Sequence, residues 1–203
     1  MINELGTTLS DFALAFECFI FSYFLFKKTD NKYAWLFFFL GLSPLLGAIY
    51  HGFYGPSLSG FAGILWKMTL VSMGAMSLFS WISGLSLISI KNKIPLFIFL
   101  TEFVLYSLFV IIFNDKFYVA IINYIPSTLF LFFSFILIYR RKRKNTFLFS
   151  IIGLILIFAA SAVQQLKFTI GSFIDHNTFY HVISLIALFM IFTGFYSIPS
   201  RKA

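Results

Sequence analysis

Histidine and carboxylate side chains collect in one half of several apolar segments of this sequence. All three histidines, His51, His176 and His181, fall there, as do the carboxylates Asp11 and Glu17. Neutral imidazole is the commonest zinc ligand, and a catalytic zinc keeps three protein ligands and a water molecule. We therefore expect a zinc site at which a metal-activated water molecule hydrolyses a substrate. Its ligands would be His51, His181 and a third group, which could be His176, Asp175, Asp11 or Glu17.

The spacing of His176 and His181 limits how such a site is built. Five residues correspond to about 140° around a regular helix, so the two side chains cannot both reach one metal from the same helix. Either His176 lies in the loop before the helix, or only one of the two histidines binds. His51 and His181 lie at the same depth in different segments, and we predict that their side chains converge.

Further polar residues at this depth predict a water-filled pocket. Ser43, Gly47 and His51 recur every four residues and share one face of a helix. Glu17 lies about 15 Å into its segment, so contact with interfacial water does not explain it. Glu17 and Lys67 either form a structural ion pair or serve catalysis or transport. The predicted pocket residues are Ser43, Lys67, Asn123, Gln164, Gln165, Asn177 and Ser184.

Seven apolar segments must position these residues. They cover approximately residues 7–26, 33–53, 61–90, 94–113, 117–139, 146–169 and 178–197. Each segment is long enough to cross about 30 Å of hydrocarbon at about 1.5 Å per residue. The loops between them are too short to hold a separate domain. We predict an all-α bundle of seven transmembrane helices that forms a single domain over residues 1–203.

Basic residues set the predicted orientation of this bundle. Lys and Arg residues cluster in alternate loops, as in the run from Arg140 to Lys144, whereas the opposite side carries only Lys67, Lys116 and Lys167. Cytoplasmic loops of membrane proteins are enriched in Lys and Arg. The pattern predicts an N-terminus outside and a C-terminus in the cytoplasm.

Composition excludes a soluble protein and explains the positive charge. The chain is 60% hydrophobic and 11% charged, whereas a soluble domain carries roughly 25% charged residues. The net charge of +8 is accounted for by basic loops that face an anionic leaflet. We therefore expect the lipid bilayer, and not nucleic acid, as the partner. The expected location is a bacterial inner membrane or another plasma membrane.

The layout resembles the CREST superfamily, the seven-helix membrane proteins that include the alkaline ceramidases and the progestin and adiponectin receptors. That family holds zinc with one histidine late in its second helix and two early in its seventh. The resemblance assigns these positions to His51, His181 and, approximately, His176. An acidic residue in the first helix, here Glu17 or Asp11, is similar to that of the ceramidases.

Three positions depart from the CREST pattern. Gly47 stands where the family has a serine four residues before the histidine of the second helix. Lys67 lies near the start of the third helix, where the family has an aspartate. The histidines of the seventh helix are five residues apart instead of four.

Four hypotheses about function follow. The first is a zinc-dependent hydrolase of a lipid amide or ester, with Asp11 or Glu17 orienting water or a ligand. The second is a small-molecule or ion-coupled transporter or a sensor that uses Glu17, Lys67 and His51 as a titratable relay. It needs an inner exit, for which Glu102 is the only candidate. The third is a non-catalytic assembly protein whose polar cluster holds its helices together. The fourth is a haem protein with His51 and His181 as ligands.

Overall fold

The computed structural model describes residues 4–55, 60–90, 92–169 and 175–199. Over these ranges the chain forms helices and no strand. Seven of the helices are long and apolar enough to cross a membrane, which confirms the predicted all-α bundle of seven spans. They are α1 (Leu5–Lys28), α2 (Asn31–Ile49), α3 (Gly60–Leu87), α4 (Ile94–Ile112), α5 (Phe117–Lys142), α6 (Asn145–Gln165) and α7 (His176–Tyr196).

The predicted helix ends agree closely with the structure except where the backbone turns. The predicted sixth helix reaches residue 169, but α6 ends at Gln165 because Lys167 takes a left-handed conformation with φ 53°. The predicted third helix reaches residue 90, but α3 ends at Leu87, two residues before Ser89 at φ 64°. A left-handed residue cannot continue a right-handed helix.

The end of α2 continues as a π-helical turn over Tyr50–Tyr54. The backbone N–H of Gly55 donates to the carbonyl of Tyr50 at 3.0 Å, which closes the wide turn, and Gly55 itself has φ 61°. A π-helical turn holds more residues than an α-helical turn, so it changes the direction of the side chains along it. His51 lies within this turn.

Six of the helices form a closed ring, and α4 lies outside it. Around the ring, α1 packs against α2, α2 against α3, α3 against α5, α5 against α6, α6 against α7, and α7 against α1. The helix α4 packs mainly against α3. Small residues allow the backbones of the ring to approach closely: a Cβ atom on Gly153 would lie 2.6 Å from the carbonyl oxygen of Ala187 on α7.

Aromatic side chains fill the ring at the end that carries the C-terminus of α7. Phe37, Phe135 and Phe195 are fully buried there. The rings of Phe135 and Phe195 meet edge to face with centroids 5.0 Å apart, and Phe21 stacks on Phe192 at 4.2 Å. This packing closes the bundle at its predicted cytoplasmic end, so the space inside the ring lies nearer the other end, which we call the outer end.

Candidate functional site

A cavity of about 320 Å³ lies inside the six-helix ring. Every helix of the ring contributes to its wall, whereas none of its lining residues comes from α4. The volume is at the lower end of the roughly 300–1,000 Å³ that ligand sites occupy. We refer to this space as the central cavity.

The charged and amide groups of the central cavity lie at its outer end, whereas its deeper wall is mostly apolar and carries hydroxyl groups such as those of Ser80 and Thr128. Ile191, on its deep wall, lies about 22 Å below His176 at the start of α7, at about 1.5 Å per residue. The polar wall at the outer end includes Thr7, Asp11, His51, Gln164, Asn177 and His181. The deeper wall includes Leu36, Met73, Met76, Leu131, Leu154 and Leu188.

The centre of the polar end is a contact between α1 and α7. His181 Nε2 lies 3.2 Å from Asp11 Oδ1, and both side chains line the central cavity. They are also buried, with Asp11 4% exposed and His181 7% exposed. A carboxylate and an imidazole held together in this way out of bulk water exchange protons readily with a bound molecule.

Ser10 holds the far side of the His181 ring. Its Oγ lies 2.9 Å from His181 Nδ1 and 3.0 Å from the carbonyl oxygen of Thr7. When Ser10 donates to Thr7, His181 Nδ1 carries the hydrogen that Ser10 accepts, and a further proton lies between Nε2 and Asp11. Ser10 does not line the central cavity. Its position therefore suits an orienting residue and not a nucleophile.

Gly47 provides the space for the carboxyl group of Asp11. A Cβ atom at Gly47 would lie 3.4 Å from Asp11 Oδ2, in van der Waals contact, so the carboxyl group packs directly over this glycine. Both residues line the central cavity. The serine that the CREST pattern expects at position 47 is thus replaced by a glycine over which an acid from α1 lies.

His51 reaches the same cavity from the π-helical turn. Its Nδ1 lies 3.1 Å from Glu4 Oε2, although the two groups are not aligned as a hydrogen bond. Gly52 next to it faces α1, where an added Cβ atom would lie 3.0 Å from Thr8 Cγ2. The close approach of this turn to α1 brings His51 and Glu4 together at the outer end.

The structure brings most of the predicted polar residues to one wall. Asp11, His51 and His181 line the central cavity, and so do Ser43, Gln164, Asn177 and Ser184. Gln164 Nε2 donates to Asn177 Oδ1 at 3.4 Å, which joins α6 to α7, and Ser184 donates to the carbonyl of Tyr180. His51 and His181 therefore face one space from two helices.

The remaining predicted site residues lie away from the central cavity. Lys67 donates to the carbonyl of Ile111 at 2.8 Å, so the predicted pair with Glu17 is not found among the described residues. Glu17 also lies off the cavity wall, and its Oε2 has no hydrogen-bond partner in the described part of the chain. The others off the wall are Asn123, Gln165 and His176.

Each of these exceptions has a physical reason. Asn123 faces α4, where its Nδ2 donates to Glu102 Oε1. Gln165 is exposed at the end of α6. His176 is the first residue of α7, and the predicted angle of about 140° from His181 turns it off the cavity.

Several residues that line or border the cavity were not predicted from the sequence. Thr7, Trp66, Tyr124 and Tyr180 line the wall, and Glu4 contacts His51. Thr7 precedes Asp11 by four residues, so helical periodicity alone places both on one face. The aromatic residues gave no signal, because aromatic side chains occur throughout these apolar helices.

Comparison with known proteins identifies a family for this chain but no activity. The profile of a family of unknown function, DUF6962, matches residues 6–199. The chain belongs to the DUF6962 family. No curated protein and no solved structure matches this DUF6962 chain. The resemblance to the CREST superfamily stays a prediction from the sequence.

The described donor residues of this DUF6962 protein do not form a three-ligand metal site. Within residues 4–55, 60–90, 92–169 and 175–199, no three His, Cys, Asp or Glu side chains come together as metal ligands would. Both ring nitrogens of His181 already have partners, Ser10 and Asp11. A catalytic zinc needs three protein ligands, so zinc bound by His51 and His181 stays a prediction that metal analysis tests.

Proposed function

We propose that this membrane protein binds a single-chain lipid amphiphile in the central cavity. The polar group of the ligand contacts Asp11, His51 and His181, and its hydrocarbon chain extends towards Leu154 and Leu188. The observation that supports this proposal is the change of the cavity wall from charged and amide groups at the outer end to a mostly apolar wall at depth. Ligand sites combine apolar walls with a few polar groups that fix orientation.

The mainly apolar wall of the cavity favours a lipid over a small hydrophilic solute. Buried apolar wall is stabilised by contact with an apolar ligand, at roughly 25 cal/mol per Å² removed from water. A solute that crosses the bundle would also need an inner exit. The aromatic packing of Phe37, Phe135 and Phe195 fills that end, and Glu102 lies on α4 outside the ring.

Co-purified lipid measured by native mass spectrometry tests the binding proposal. We expect about one single-chain lipid per chain in the wild-type protein, at a site of this size. Leu188→Trp fills the deep wall and should lower the occupancy at least about tenfold, the equivalent of 1.4 kcal/mol. The matched control is Ile122→Trp on α5, where the side chain is 65% exposed and lines neither the central cavity nor the pocket on α4. An equal loss in both variants, or no bound lipid in the wild type, would contradict the proposal.

A second function is favoured by the Asp11–His181 contact, namely hydrolysis of an ester or amide bond in that ligand. In this step Asp11 Oδ2 accepts a proton from a water molecule while His181 holds Oδ1. The water oxygen bonds to the carbonyl carbon, the bond from that carbon to the leaving alcohol or amine breaks, and the leaving group takes the proton. General base catalysis of this kind contributes about 10²–10⁴-fold to a rate.

Turnover of a single-chain lipid ester separates hydrolysis from binding. Asp11→Asn keeps the size of the side chain and an oxygen that accepts hydrogen bonds but removes the base, so the rate should fall about 10²–10⁴-fold with a much smaller change in lipid occupancy. Glu17→Gln is the matched control, because Glu17 does not line the cavity. If the wild-type protein binds lipid without cleaving it, hydrolysis is refuted and binding stands.

We also propose a plasma membrane as the location of the protein.

A further inference from the structure

The side of α4 that faces away from the six-helix ring carries a groove with an acidic residue at its centre. Ile98, Glu102, Leu105 and Phe109 all line it, together with Phe97, Thr101 and Tyr106. The first four recur at spacings of four, three and four residues, which is the seam by which two near-parallel helices pack. This groove belongs to α4 alone and lies outside the six-helix ring that encloses the central cavity.

Glu102 lies near the middle of the membrane on this face. It is about 12 Å from the start of α4 at Ile94 and about 15 Å from the end at Ile112, at about 1.5 Å per residue. Carboxyl groups at such depth face protein or water, because lipid tails offer no hydrogen bond. Glu102 therefore lies in the part of the bilayer where a carboxyl group without hydrogen-bond partners is least favourable.

The protein satisfies only part of this carboxyl group. Asn123 on α5 donates to Oε1, and the indole N–H of Trp81 on α3 lies near the carboxyl group without the alignment of a hydrogen bond. No Lys, Arg or His pairs with Glu102 among the described residues. The side chain is half-buried and borders the open groove. A second polar group arriving from outside would complete its hydrogen bonds.

We propose that this groove binds α4 of a second copy of the chain, with the two Glu102 carboxyl groups hydrogen-bonded across a twofold axis. Two copies insert with the same orientation because the same basic loops orient them. A twofold axis along the membrane normal then brings Glu102 of each copy to the same depth. A neutral carboxyl group donates and accepts at once, so the two groups satisfy each other.

Disulfide crosslinking in membranes tests the dimer. Cys18 is the single cysteine of the chain and is fully buried, so Cys18→Ala gives a background without thiols. Leu105→Cys in that background should form a covalent dimer on mild oxidation. The matched control is Ile122→Cys on α5, which is 65% exposed, against 62% for Leu105. No more crosslinking at position 105 than at position 122 overturns the proposal.

Substitution of Glu102 tests the role assigned to the carboxyl group. Glu102→Ala should lower the yield of the Leu105→Cys dimer at least about tenfold, whereas Glu102→Gln, which still donates and accepts, should retain it. An unchanged yield in Glu102→Ala overturns the proposal. As an independent measurement, fluorescent wild-type protein in lipid vesicles should photobleach in two steps, and single-step bleaching overturns the second copy as the occupant.

Discussion

Asp11 and Glu102 are both carboxylic acids within membrane-spanning helices, but their surroundings differ. Asp11 is inside the ring, where His181 of a different helix fixes one oxygen and Gly47 leaves space for the other. Glu102 is outside the ring, where Asn123 takes one oxygen and the side chain borders an open groove. An acid enclosed by partners from several helices forms a defined site, whereas one that borders a groove on a single helix suits an interface.

The largest expected effect is in the labelling experiment that tests which end of the bundle faces outside. Tyr54→Cys near the polar end should react with an impermeant thiol reagent in intact cells, and Lys142→Cys only after permeabilisation, because basic loops stay in the cytoplasm. Cys18 is fully buried and serves as the internal control. The reverse pattern of labelling would place the polar end of the cavity in the cytoplasm.

Removal of the Asp11–His181 contact should lower the free energy of unfolding the most. His181→Ala leaves the carboxyl group of Asp11 buried without its imidazole partner, and we expect a loss of about 3–5 kcal/mol in the free energy of unfolding. Thermal denaturation in detergent micelles measures it. His176→Ala on the same helix is the control, because His176 lies off the cavity. Equal losses in the two variants would show that the Asp11–His181 contact is not the reason.

A smaller effect is expected where α4 meets the ring. A Cβ atom at Gly74 of α3 would lie 2.5 Å from the ring of Tyr106 on α4, so Gly74→Ala must displace that ring. Overpacking of this kind costs about 1–3 kcal/mol. Because α4 does not line the central cavity, lipid occupancy measured by mass spectrometry should stay at the wild-type level. Loss of the bound lipid would show that the two regions are coupled.

The smallest effect is expected for Lys67, and it separates two interpretations of that residue. A lysine paired with Glu17 would be costly to remove, but Lys67 instead donates to the carbonyl of Ile111 in the last turn of α4. A cation at a helix C-terminus contributes about 0.3–1 kcal/mol. Lys67→Met should therefore lower the denaturation midpoint only slightly. A loss of stability as large as that of His181→Ala would instead support the interpretation of Lys67 as a member of a buried ion pair.

The sequence predicted the seven helices well because the length of an apolar segment directly reports the thickness of the membrane. It also predicted the depth of the polar residues, since depth follows from position along a helix. Asp11, His51 and His181 were expected at the outer end, and they line the cavity there. These predictions rest on one coordinate, the height along the membrane normal.

Which way a side chain faces could not be predicted, because these helices are apolar on nearly every side and periodicity does not separate lipid from protein. Asn123 and Glu102 illustrate this, since they pair between α5 and α4 outside the ring. Nothing in the pattern of residues indicates that α3 packs against α5 and leaves α4 aside. The π-helical turn that carries His51 was likewise not predicted from the sequence.

The contact between the first and last helices of the ring has a consequence for the order of events in biosynthesis. His181 follows Asp11 by 170 residues, as the numbering shows. At about 5–20 residues per second the ribosome needs roughly 10–30 s to make that stretch. During this time His181 has not yet been made and cannot contact Asp11. The contact that forms the site can therefore form only after α7 has been made, because His181 lies on that helix.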